Sequence, residues 1–218
     1  MIDYSILTAA ISDNVCAAIE NHPAFANRSR LAGFALFTDN NLTSFSVVFC
    51  DIADVQDEGD DLLFRPEEWD FELKKEFSNP VCHLWQQWTR HNAEELDLTA
   101  EFDLYSVECF KAISNAVPRI RQRCGLSEHV FATAHIDDEW STQSHLEEQL
   151  IDSVNSAATC RRRLECKLEF AQSWLSTIEY FEGEDVANTD EIKTKLKKDI
   201  AQTKRRLAQN RSHLKIVR

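Results

Sequence analysis

The stretch GFALFTDNNLTSFSVVFC, Gly33 to Cys50, decides how this chain is read. Two apolar runs flank Asp39-Asn40-Asn41. That trio is either a site, with a carboxylate beside two amides, or a turn. Phe34 to Phe37 is apolar on both faces, as a central strand requires. Beyond the trio the pattern partly alternates. Phe45, Val47 and Phe49 share one face, and Ser44 and Ser46 share the other, which suits a strand with one buried side. Asn and Asp tolerate the positive φ that tight hairpin turns demand. The stretch therefore predicts a β-hairpin, and the trio is its turn.

Upstream, Leu7, Ile11, Val15, Ala18 and Ile19 recur at helical spacing before Pro23, so residues 5–22 predict a helix. Downstream, RPEEWDFELKKEFSNP looks helical from Pro66, with Glu67 and Glu68 complementing the first-turn dipole. Asn79-Pro80 starts another helix, with Leu84, Trp85, Trp88 and His91 on one face. An aromatic pair at that spacing reads as core rather than as a ligand box. Residues 99–124 predict one helix or two, with Pro118 as a kink or division and Gly125 as the stop. Strand alternation returns at HVFATAHIDDEW. Val130, Ala132, Ala134 and Ile136 share one face; Phe131, Thr133, His135 and Asp137 share the other.

From Thr142 a largely apolar series steps by three or four, through Leu146, Leu150, Val154, Ala157, Arg161, Leu164, Leu168, Ala171, Leu175 and Ile178, for nearly five heptads. EGEDVANTD interrupts the stepping, and Leu196, Ile200, Thr203 and Leu207 resume it. Two amphipathic helices in an antiparallel hairpin follow from this pattern. With only four Gly and four Pro in 218 residues, long helices are favoured over a many-stranded β fold. The expectation is an α+β fold: a small antiparallel sheet packed with several helices over 1–141, then a long coiled-coil-like hairpin over 142–218.

Charge divides the same way. The formal net charge is −13, yet residues 1–140 hold 25 acids against 10 bases, and the last 29 residues hold 10 bases against 3 acids. An acidic body repels nucleic acid and steers a basic protein toward itself. No apolar run approaches the ~20 residues of a membrane span. The first residues lack a basic leader, so the expected location is cytoplasmic. Seven cysteines without a CxxC pair argue against a zinc ribbon or a thioredoxin motif, and the odd count argues against a closed disulfide framework. Buried reduced thiols are the simpler reading.

Few motifs carry chemistry. There is no GxSxG and no Gly-rich phosphate loop. DIADVQDEGDD holds six acids in eleven residues, but counting from Asp51 puts Ala53 and Val55 where an EF-hand needs oxygen ligands. It reads as a solvated acidic loop or an anionic contact surface. HIDDEW gathers His135, Asp137, Asp138 and Glu139 at a strand end, where a metal site or acid–base catalysis competes with a solvated exit that caps the next helix. The basic run from Lys193 to Lys215 lacks the interleaved aromatics of nucleic-acid binders, and reads as the polar face of a coiled coil.

FALFTDNNLTSFSVVFCDIADV, then RPEEWDFE, then VFATAHIDDE resembles, in order and spacing, the bacterial family catalogued as domain of unknown function 4303. The matching elements are the Phe37-Thr38-Asp39-Asn40 turn, Trp69 and the acidic strand end Asp137-Asp138-Glu139, within roughly residues 5–140. The hairpin from 142 onward departs from the family pattern. The family has no established enzymatic activity for the resemblance to carry over. The resemblance implies an immunity protein of a polymorphic toxin system.

Three functions follow as expectations. The first is a non-catalytic, antitoxin-like inhibitor that occludes a cognate, basic protein partner. Its contact candidates are Asp51, Asp54, Asp57, Glu58, Asp60 and Asp61, together with Asp137, Asp138 and Glu139. The second is an adaptor, a homo-oligomer assembled through 142–218. The third is an enzyme built on His135 and nearby carboxylates. No metal ligand or cofactor is assigned, and neither membrane nor nucleic acid is an expected partner.

Overall fold

A computed structural model of the chain describes residues 2–25, 27–69, 75–136, 144–180 and 189–216. Its centre is the hairpin of β1 (Leu31–Thr38) and β2 (Ser44–Asp51), paired antiparallel with Phe34 opposite Phe49 and Leu36 opposite Val47. β3 (Lys75–Ser78) adds antiparallel to the outer edge of β2, and β4 (Phe131–Ile136) adds parallel to β1, giving the order β3-β2-β1-β4. The sheet is thus mixed rather than wholly antiparallel. Side-chain alternation has the same period in both pairings, so the sequence pattern carries no strand direction.

The turn holds its shape through Asp39. Its carboxylate accepts from Asn41 N–H at 3.1 Å, from Thr43 N–H at 2.8 Å and from the hydroxyls of Thr43 and Ser44. The positive φ falls on Leu42, at 53°, and not on either asparagine. A bulky residue there is strained. Burial offsets the strain: Leu42 is fully buried, and its carbonyl accepts from Asn79 Nδ2 at 2.6 Å and from the Tyr105 hydroxyl at 2.9 Å.

One face of the sheet, with Phe34, Leu36, Phe45, Val47, Phe49, Ala132, Ala134 and Ile136, joins a core with α1 (Ser5–Asn21) and α4 (Leu98–Cys124), which pack on each other. The Asp97 carboxylate caps α4 through Thr99 and Ala100 N–H, and Gly125 ends it at φ 63°, a left-handed C-cap. Pro118 lies inside α4 without dividing it. The other face is covered by the segment after β2. Trp69 and Leu63 close on Gly33, and Phe64 meets Phe131 edge-on at 5.3 Å. β2 is therefore buried on both sides, where alternation predicted one.

Three further expectations change. The acidic stretch after β2 is not a loop: α2 (Ile52–Glu58) forms because the Asp51 side chain accepts from Ala53 N–H and caps it. The helix expected from Pro66 is a single tight turn over Pro66–Glu68, and Lys75–Ser78 is a strand. The long stepping from Thr142 breaks at Asn155-Ser156, between α5 (Ser144–Val154) and α6 (Ala157–Tyr180).

Asn155 explains that break. Its side-chain amide reads the outer edge of β4, accepting from Ala132 N–H at 2.9 Å and donating to Ala132 C=O at 2.7 Å. Glu147 Oε1 takes Ile136 N–H at 2.7 Å, and Arg121 donates to Val130 C=O at 2.8 Å. These side chains satisfy backbone groups that an open edge would offer to another chain. α5 thus packs on α4 and β4.

The chain divides into two units, Met1–Ser156 and Ala157–Arg218. With the boundary there rather than at 141/142, the first unit holds 28 acids and 10 bases, net −18; the second holds 9 acids and 14 bases, net +5. In the second unit α6 and α7 (Thr189–Ile216) lie in contact, with Lys197 Nζ 3.8 Å from Glu179 Oε1.

Candidate functional site

The acidic stretch splits into structural and surface residues. Asp51 is only 6 % exposed; besides capping α2 it is ion-paired to Arg30, so its carboxylate is committed within the fold. Asp54 is half-buried in the first turn of α2. Asp61 pairs with Arg65 at 3.0 Å, and Arg65 also grips Glu68. Asp57, Glu58 and Asp60 are exposed, and these carry the outward charge of this segment. Asp137, Asp138 and Glu139 lie outside the described residues. His135 sits edge-on to Phe37 with ring centroids 5.0 Å apart, and its Nδ1 is 3.8 Å from Glu147 Oε2. Among the described residues no group of three or more His, Cys, Asp or Glu side chains is placed to hold a metal ion.

A second surface was not expected from the sequence. α3 (Cys82–Asn92) carries Trp85 and Trp88, assigned above to the core with Leu84. Leu84 is 44 % exposed and Trp88 39 %. Cys82 is buried and Trp85 half-buried on the inner face of α3, where Trp85 stacks on Tyr105 of α4 at 5.0 Å and 13°. Trp88 extends that stack outward, 5.6 Å from Trp85 at 30°. Tyr4 approaches Tyr105 at 6.2 Å.

These rings open into a groove of about 530 Å³ lined by Tyr4, Trp85, Trp88, Leu104 and Tyr105, with Glu101 and Glu108 among the lining residues. Burial, reinforced by Cys109, Glu108 and Glu101, raises the Tyr4 phenol to about 12, so it stays neutral. Glu108 is paired to Lys111 at 2.5 Å. Residues 93–110, which supply α4's part of the groove, hold six acids and no base. That one-signed run beside two tryptophans was the available sequence signal. The groove's lining comes from α3, α4 and the residues before α1, and none of the exposed acids of α2 is among it.

The thiols are less suited to chemistry. Six of the seven cysteines are buried, and Cys166 is half-buried. Burial pushes Cys50 and Cys109 up to about 12, which leaves them protonated at neutral pH. No described helix is long and apolar enough to cross a membrane.

Comparison with known proteins gives no counterpart: no family model matches the chain, and neither does any curated protein or solved structure.

Proposed function

We propose that this chain is a non-catalytic binding protein, an antitoxin-like inhibitor that covers a basic protein partner with its acidic first unit. The observation that carries this reading is the union, within one unit, of a net charge of −18 and an aromatic groove with exposed Trp88 and Leu104. Charge of one sign steers an oppositely charged partner, and half-exposed tryptophans supply the anchors on which interface affinity concentrates. The sequence resemblance of residues 5–140 to the family catalogued as domain of unknown function 4303, whose members are suspected immunity proteins, agrees with this reading, although no family model matches the chain. Co-expression with the product of the adjacent gene is the test. Relief of growth arrest and a stable stoichiometric complex are expected; no complex and no relief would overturn the reading.

The hairpin favours a second reading, assembly with further copies. Phe170 is 56 % exposed and Trp174 49 %, and their rings lie 6.4 Å apart on α6. An apolar pair held outward on a helix is a contact surface in waiting. If it assembles the chain, Phe170→Ser with Trp174→Ser lowers the solution mass; an unchanged mass excludes it.

A further inference from the structure

The aromatic groove has a chemistry narrower than general stickiness. Its rings form a ladder from Tyr105, 1 % exposed, through Trp85 to Trp88, 39 % exposed. A ladder of nearly parallel rings that ends at a half-exposed indole accepts one more flat group. The acids fix the charge of that group. Glu101 and Glu108 line the same groove, and the eighteen residues around them contain no base. An apolar or acidic occupant would strip water from these carboxylates and give nothing back. A guanidinium satisfies both demands, because it is planar, stacks on indole faces and offers paired donors to carboxylates. Lys111, itself 61 % exposed, is an exposed i+3 partner of Glu108, and such pairs contribute little, so an incoming cation displaces it at small cost.

We propose that this groove takes an arginine side chain of the basic protein partner, its guanidinium laid on Trp88 and paired with Glu101 and Glu108. The assignment rests on the binding-protein reading and adds the anchor: the decisive contact is on α3 and α4, not on the acids of α2.

The test uses the full chain and a capped glycine–arginine repeat peptide as probe, with the same peptide carrying citrulline, the neutral isostere of arginine, as control. The indole N–H resonances of the labelled chain report the site, assigned with Trp85→Phe and Trp88→Phe. The arginine peptide should shift the Trp88 resonance, and the citrulline peptide should bind at least about tenfold more weakly. Glu101→Gln with Glu108→Gln should weaken binding by a similar factor. Asp57→Asn with Glu58→Gln should leave it unchanged. These are surface substitutions, and retention of the Trp85 and Trp88 resonances shows that the fold persists. A silent Trp88, equal binding of the citrulline peptide, or indifference to the two glutamine substitutions would each overturn the assignment. If the arginine peptide binds but responds only to Asp57→Asn with Glu58→Gln, the groove assignment falls while the acidic-surface reading stands.

Discussion

Asn79→Ala should be the most damaging single polar substitution in the first unit. Asn79 is 4 % exposed and joins three elements. Its Nδ2 donates to Leu42 C=O and to the Tyr105 hydroxyl, both at 2.6 Å, and its Oδ1 accepts from Val81 N–H at 2.9 Å. Alanine removes all three bonds, but their costs differ. Leu42 C=O keeps the Tyr105 hydroxyl as a donor. Val81 N–H, in a fully buried residue, is left without its partner. A lost bond with a surviving alternative costs about 1 kcal/mol, and an orphaned buried donor about 1–3 kcal/mol. The sum is about 2–4 kcal/mol, and it also loosens the positive-φ turn at Leu42. Urea unfolding followed by tryptophan fluorescence in a Trp174→Phe background reports the first unit alone. Asn41→Ala is the control, because Asn41 serves the turn through its backbone N–H; it should change stability by under about 0.5 kcal/mol. A loss below about 1 kcal/mol for Asn79→Ala would refute the claim that this network fastens the hairpin to α4.

Three other substitutions or conditions bear on the fold. Asp51→Ala should cost about 1–2 kcal/mol in urea unfolding through the lost α2 cap and the Arg30 pair, while Asp57→Asn stays within about 0.5 kcal/mol; equal effects would contradict the division of structural from surface acids. Gly33→Ala brings a Cβ to 3.0 Å from the Trp69 ring and 3.2 Å from Phe131 C=O, so a loss of about 1–3 kcal/mol is expected, and an unchanged midpoint would show slack in that layer. The buried thiols predict alkaline sensitivity. Cys50 and Cys109 rise from 9.0 to about 12, so above pH 9 the unfolded chain loses protons that the folded chain keeps. Stability from these two groups is complete below pH 9 and falls between pH 9 and 12, by up to about 1.4 kcal/mol per pH unit for each thiol. Equal stability at pH 8 and pH 11 would contradict this.

The hairpin was legible because its two signals agree, a run apolar on both faces for the central strand and an Asp-Asn-Asn reversal beside it. β3 was not legible. Lys75 and Glu76 belong on an exposed edge strand, yet they continue the charged pattern of a surface helix, and Pro66 with two glutamates imitates a helix start. The division between α5 and α6 escaped because three- and four-residue stepping runs straight across it; what ends α5 is Asn155 reaching the β4 edge, a tertiary contact. α2 needed only one short-range fact, the Asp51 cap, but six acids in eleven residues masked it. The groove was misread for a related reason. Trp85 and Trp88 share a helical face, but that face is buried at Cys82 and half-buried at Trp85, and is exposed by the next turn at Trp88.

Hydrogen exchange on the chain, alone and bound to the adjacent gene's product, tests the central claim most directly. The account predicts slowed exchange in residues 82–108, with α6 and α7 unchanged. Slowed exchange confined to residues 157–216 would contradict it and transfer the binding role to the helical hairpin.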